Sequence, residues 1–338
     1  MKDTIVLGIE SSCDETGVAI VKNGQLLANA VTTQIAMHQK YGGVMPEMAS
    51  RLHAENITMV LEEALSNAHI ELKDVDAYAV TRGPGLIGAL HVGLQAAKTL
   101  AAIYRRPLIP VHHLAAHIYA NEFVKPLQFP LLALVVSGGN TEIVYMEEHL
   151  KFKIIGETRD DAVGECYDKV ARVLGLPYPG GLPIDRLAQT GRPTYKLPRP
   201  MMDGGLDLSY SGLKTAVINL VHHAHQTGET IVLADLCASF QQTAIGMLVE
   251  KCRLALKRYP ARQIALAGGV SANSLLRASM VSLAAENGID IIVPPMWACT
   301  DNAAMIAVLG VRLLQSGIVA PLSLGVDPGW SIEEISKF

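Results

Sequence analysis

One pattern occurs twice in this chain and restricts its fold more than any other feature: a buried strand, a turn of small residues, two further strands and then a helix. The first copy opens with an aliphatic strand from Thr4 to Glu10 and passes through Ser11-Ser12-Cys13-Asp14-Glu15-Thr16-Gly17. It continues into strands from Gly17 to Lys22 and Gln25 to Thr32, each β-branched or aliphatic and bounded by polar residues. Pro46 then starts a helix in which Met48, Leu52, Ile57, Val60, Leu61 and Leu65 recur at helical spacing, proline being suited to a first helical turn. A strand from Val75 to Thr81, the turn Gly83-Pro84-Gly85, an apolar helix from Leu86 to Tyr104 and a strand entering His112 complete this part. The second copy has a continuously apolar strand from Leu131 to Ser137, the turn Gly138-Gly139-Asn140, and strands from Thr141 to Glu147 and Phe152 to Glu157. The repeat predicts a duplicated α/β domain, although a meander arising twice by chance fits the pattern alone equally well.

Beyond the second meander, Thr190 to Ser211 is rich in proline and basic residues and reads as an irregular surface loop. Helices are expected from Gly212 to His225 and from Ile231 to Tyr259, a strand from Gln263 to Ala267, and a helix beginning near Ala272. A strand from Ile289 to Val293 and a long helix starting near Asp301 follow. Strands separated by helices suit a mostly parallel sheet covered on both faces.

With 338 residues the chain is long enough for two compact domains. Half of it is apolar and 18% is charged, which excludes disordered and fibrous classes. The net charge of −4 and pI of 6.3 do not mark the whole molecule as a nucleic-acid binder, so any RNA contact needs a local basic patch or a partner. Cys13, Cys166, Cys237, Cys252 and Cys299 are scattered and contain no C-x-x-C pair, as expected of reduced thiols in a cytoplasmic protein. The opening residues carry Asp3 and too short an apolar run for a signal peptide, and the apolar stretch from Cys299 to Val319 contains Asp301 and Arg312. No membrane association is expected.

Three small-residue turns each follow a buried strand: Ser11 to Gly17, Ser137 to Thr141, and Gly268-Gly269-Val270-Ser271-Ala272-Asn273. Such turns let backbone amides approach phosphate oxygens, so the three together point to a nucleotide-binding cleft between lobes. In the third, Ser271 is placed to cap the following helix and Asn273 to touch a base or ribose. His113 and His117 are four residues apart and on a helix share one face. With Asp301 they form a two-histidine, one-carboxylate set suited to iron or zinc acting as a Lewis acid. The plainer alternatives are histidines capping a strand-to-helix junction and an aspartate capping a helix. Asp168 and Lys169 fall on a further helix, and Pro179-Gly180-Gly181 beside Asp185 suits close approach to ribose or phosphate, or a simple tight turn.

Taken in order, Gly8-Ile9-Glu10-Ser11-Ser12-Cys13-Asp14-Glu15-Thr16, His113 with His117, Val136-Ser137-Gly138-Gly139, Gly164-Glu165-Cys166-Tyr167-Asp168-Lys169, Tyr178-Pro179-Gly180-Gly181 and Gly268 to Asn273 closely resemble the bacterial tRNA threonylcarbamoyladenosine transferase family, once labelled O-sialoglycoprotein endopeptidases. The resemblance runs from about Ile5 to about Leu309. It departs at Asn140, where the family commonly has histidine. It implies an α/β, two-lobed fold of the actin, Hsp70 and sugar-kinase type, with duplicated domains at 1–118 and 125–302 around a cleft and the terminal segment 303–338 packing back on the first. It further implies one divalent metal ion, iron or alternatively zinc, on His113, His117 and Asp301. Contacts to an adenine nucleotide or threonylcarbamoyl-AMP are implied for Val135, Val136, Ser137, Gly138, Gly139, Asp168, Gly181, Asp185 and Asn273. The implied partners are tRNA, a smaller subunit of the same fold and a P-loop ATPase.

The reaction the resemblance implies moves threonylcarbamoyl from its adenylate to the 6-amino group of the adenosine just 3′ of the tRNA anticodon; for it, Asp14 or Glu15 is the candidate proton acceptor and Arg192, Lys196 and Arg199 are candidate phosphate contacts. A helical zinc protease would need glutamate after the first histidine, where Leu114 stands. A small-molecule kinase of the same fold is the stronger rival, and metal content discriminates, since phosphate transfer has no need of the histidine pair.

Overall fold

The computed structural model describes residues 3–337. In chain order it begins with β1 (Ile5–Glu10), β2 (Glu15–Lys22), β3 (Gln25–Thr33), α1 (Ile35–His38) and α2 (Pro46–Ala68). β4 (Ala77–Gly83), α3 (Ile87–Tyr104), β5 (Leu108–His112) and α4 (His113–Tyr119) follow. Next come β6 (Leu131–Val136), β7 (Thr141–Met146), β8 (Phe152–Glu157), α5 (Val163–Val173), α6 (Gly181–Ala188), α7 (Ser211–Thr227) and α8 (Leu233–Arg258). The chain finishes with β9 (Gln263–Ala267), α9 (Ser274–Asn287), β10 (Asp290–Ile292), α10 (Met296–Cys299) and α11 (Ala303–Gln315). It divides into two units, Met1–Leu127 with Thr300–Phe338, and Gln128–Cys299.

The first unit holds a five-stranded sheet in the order β3-β2-β1-β4-β5. β1, β2 and β3 pair antiparallel, while β4 and β5 run parallel to β1. Short turns allow only antiparallel neighbours, and the helical crossovers α2 and α3 supply the length that parallel pairing needs. Leu7, Ile9, Val18, Ile20, Tyr78, Val80 and Leu94 build its core. On β1, Gly8 has a packing reason. A Cβ there would lie 2.6 Å from the Ala307 nitrogen and 2.7 Å from the Ala303 oxygen, so α11 rests with its backbone against the strand. From Ala303, beside Gly17 of β2, which pairs with Glu10 at the end of β1, α11 runs back to Gly310 beside Val6 and Ala79. The start of α11 is thereby delivered to the carboxyl end of β1, the edge at which β4 and β5 also finish. In open α/β sheets that edge is where ligand sites form.

The second unit repeats the plan with the order β10-β9-β6-β7-β8. β6, β7 and β8 are antiparallel, and β9 and β10 run parallel to β6. This corrects the expectation of a mostly parallel sheet. The hairpin turns at 137–140 and 147–151 are too short to cross over, so half of the pairings are antiparallel. β6 is buried at every position because it is central, and its Leu132 and Leu134 share a core with Ile143, Tyr167, Phe240 and Leu266. No helix among the described residues is long and apolar enough to cross a membrane.

Candidate functional site

Three histidines, His112, His113 and His117, stand where β5 passes into α4. His112 is the cap of α4: its Nδ1 accepts from the Ala115 amide at 3.4 Å and its Nε2 donates to the Trp330 carbonyl at 2.8 Å. Capping therefore does not occupy His113 and His117, whose rings lie 4.8 Å apart at 86° within α4. At α11 the cap is Asn302, whose Oδ1 accepts from the Met305 amide at 3.1 Å. The alternative of Asp301 as helix cap is thus excluded. Its Oδ1 instead sits 3.0 Å from His117 Nε2 and 3.4 Å from His113 Nε2. The ligand atoms of His113, His117 and Asp301 all lie within 4.8 Å of one another, the one such cluster among the described residues.

The electrostatics suit a cation. Burial disfavours charge on His113, yet the Asp301 and Glu10 carboxylates outweigh it and raise the imidazole well above its ordinary range. Asp301 is half-buried, which also works against charge, yet the two histidines hold it ionised, well below the usual carboxylate range. Two imidazole nitrogens and one ionised carboxylate around a common point fit a divalent metal ion with open positions. This is a candidate metal-binding site.

Asp14 and Glu15 stand in the turn after β1 and at the start of β2, both half-buried. Burial, with the charges of Asp301 and Asp14, pushes the Glu15 carboxyl up to about 10, while Thr33 Oγ1 donates to it at 3.2 Å. The turn is tied to α2 by His53. Its Nε2 donates to the Cys13 carbonyl at 3.0 Å, so its Nδ1 accepts from Thr16 Oγ1 at 2.7 Å. Burial lowers the His53 pKa and favours this neutral form.

The remaining sequence-derived candidates lie in the second unit. Val135 and Val136 end β6 and are both 0% exposed, so neither side chain faces a ligand. Ser137 closes the turn, its Oγ accepting from the Asn140 amide at 3.0 Å, and Gly138 and Gly139 form an exposed tip. Open space lies where a Cβ would point at either glycine. Asp168 accepts from the Gly180 amide at 2.7 Å, which fixes the entry to α6 and with it Gly181. Asp185 is 7% exposed, and its oxygens accept from Gln241 Nε2 at 2.8 Å and from the Ser274 hydroxyl at 2.7 Å. Asn273, not Ser271, caps the helix after the third turn: its Oδ1 accepts from the Leu276 amide at 3.0 Å, and its Nδ2 donates to Gln241 at 2.9 Å. Gly268, at φ +85°, brings its backbone so close to Val136 that a Cβ would lie 2.4 Å from the Val136 oxygen. A left-handed conformation with that approach demands glycine.

A family model described as tRNA N6-adenosine threonylcarbamoyltransferase (TsaD) matches residues 25–308. A protein of that name from Bacillus thuringiensis (strain Al Hakam) is 56% identical over 335 residues, covering 98% of each chain. The chain belongs to this family. A second relative so named, from Geobacillus thermodenitrificans, is 54% identical over 331 residues, 97% of each chain. Among solved structures, HypF from T. kodakarensis aligns with a TM-score of 0.63 at 14% identity, covering 93% of this chain and 48% of its own. A ROK hexokinase from Thermus thermophilus aligns at 0.52 and 14%, covering 93% and 100%. At that identity they show the fold alone, that of actin-like ATPases and ROK kinases.

For a member of this family, sequence reasoning passed over three side chains that build its candidate sites: Glu10, His53 and Gln241. Glu10 had a signal, as the one charge in an otherwise apolar strand. His53 and Gln241 are single polar residues within helical patterns, and nothing local sets them apart. The five cysteines are free thiols.

Proposed function

We propose that this chain transfers a threonylcarbamoyl group from threonylcarbamoyl-AMP to the 6-amino group of the adenosine immediately 3′ of the tRNA anticodon. The observation that carries the reading is the convergence of His113, His117 and Asp301 within 4.8 Å in a chain 56% identical to a protein named for that transfer. Adenine's amine is a weak nucleophile because its lone pair is delocalised into the ring, so the acyl donor must be activated. A carbamoyl-phosphate anhydride is such a donor, with AMP as leaving group.

In this reading His113, His117 and Asp301 hold one divalent ion, iron or alternatively zinc, which when bound supplies Lewis-acid stabilisation of negative charge. The backbone of Val135 to Gly139 and the Gly180-Gly181 turn receive the adenylate, with open space at Gly138 and Gly139 admitting phosphate oxygens. Asp185 and Asn273 bind the nucleoside part from a frame already ordered by Gln241. Asp14 or Glu15, in the turn after β1 and at the start of β2, accepts the proton released by the amine. Arg192, Lys196 and Arg199, all exposed on the loop between α6 and α7, contact tRNA phosphates. A smaller subunit of the same fold and a P-loop ATPase complete the system.

The test is transfer in vitro from synthetic threonylcarbamoyl-AMP to unmodified tRNA, scored by the mass of the modified nucleoside, with and without those two partners. Product that depends on this chain supports the reading. Consumption of ATP to phosphorylate a small molecule, with no modified nucleoside in either arm, would overturn it.

A further inference from the structure

The structure assigns to Glu10 the positioning of His113 for metal binding. The inference rests on His113, His117 and Asp301 being a cation site and adds to that reading a residue outside the ligand set. Glu10 ends β1, the central strand of its sheet, and is 0% exposed. A carboxylate without water must find donors in the protein, and Glu10 has three. The Ser12 amide donates to Oε1 at 2.6 Å, the Thr81 hydroxyl to Oε2 at 2.7 Å, and His113 Nδ1 to Oε2 at 3.1 Å.

An ionised carboxylate only accepts, so the proton it shares with His113 belongs to Nδ1. Nε2, the nitrogen 3.4 Å from Asp301 Oδ1, is then the one a cation takes, in exchange for any proton it carries. Ser12 Oγ, 3.2 Å from the same Nδ1, holds the ring from a second direction. A carboxylate behind a ligating histidine fixes both tautomer and orientation and strengthens the ligand. His117 has no equivalent, since its Nδ1 is buried without a hydrogen-bond partner among the described residues. Of the two histidines, His113 is therefore the one set in place before the cation arrives.

Glu10→Gln keeps the shape but replaces one acceptor by an NH2 group. With its amide oxygen kept on the Ser12 amide, that group faces His113 Nδ1 and drives the proton to Nε2, where the cation must bind. The measurement is the zinc dissociation constant of the full chain by chelator competition, for the wild type, Glu10→Gln, His113→Ala and the double variant. Expected are a 10–100-fold weaker constant for Glu10→Gln and no further loss when it is added to His113→Ala. Losses that multiply in the double variant, or a folded Glu10→Gln within threefold of wild type while His113→Ala is weakened, overturn the inference and leave the metal site standing. An unchanged constant for His113→Ala overturns the metal site itself. Should Glu10→Gln fail to fold, multiple-bond 1H–15N spectra of the zinc-loaded wild type decide the matter: a proton on His113 Nδ1 with zinc at Nε2 is expected, and zinc at Nδ1 refutes it.

Discussion

Asp301 and Asn302 are neighbours with separate tasks, and the separation keeps a carboxylate available beside two imidazoles. Asn302 satisfies the first amides of α11, so Asp301 is spared the capping bond and turns to the histidines. Asn302→Ala should cost about 1 kcal/mol of stability, as loss of a side-chain cap does, and should weaken zinc binding because Asp301 loses its fixed neighbour; denaturant titration and chelator competition read the two effects. Glu15 sets a second expectation. Its carboxyl is raised to about 10 in the folded chain against an ordinary 4.5. Between those values the folded state keeps a proton that the unfolded state has released, so this group lowers stability as pH rises across the window. In the metal-free protein, Glu15→Gln, which mimics the neutral acid, should flatten that decline. An unchanged slope between pH 5 and 9, pH values chosen for the experiment inside the window, would show that Glu15 is ionised in the folded chain.

The contact of α11 with β1 is what carries Asp301 to the edge where β5 hands over to α4. Gly8→Ala would force a methyl group to within 2.6 Å of the Ala307 backbone, so a loss of about 1–3 kcal/mol, the usual cost of overpacking, is expected in urea unfolding. Gly139→Ala meets open space, and its stability should stay within about 0.5 kcal/mol of wild type while transfer activity falls. The strands of both meanders were legible because aliphatic runs between polar turns leave little choice of register, and the histidine pair was legible because four residues separate its members on one helix. Pairing direction in the second sheet was not, since helices between strands suggest parallel neighbours and the hairpin lengths had to be weighed against them. Caps were harder still. Ser271 and Asn273 both suit a helix start, as do Asp301 and Asn302, and only the path of the chain chooses between them. Glu10 escaped because its role lies in contacts with Thr81 and His113, which are 71 and 103 residues away.

For the molecule as a whole, a net charge of −4 means that tRNA must be met by a local surface. If Arg192, Lys196 and Arg199 each contact a phosphate, changing all three to alanine should weaken tRNA binding and make the slope of log K against log salt shallower by about 2. An unaltered slope would remove the loop from the interface. The proposed chemistry depends on one cation being held by side chains from α4 and from the residues just before α11. Anomalous diffraction at the zinc edge, from crystals of the full chain grown with zinc, tests this most directly. A single strong peak bounded by His113 Nε2, His117 Nε2 and an Asp301 oxygen is predicted; a map without a peak there, or with the ion on other residues, would contradict it.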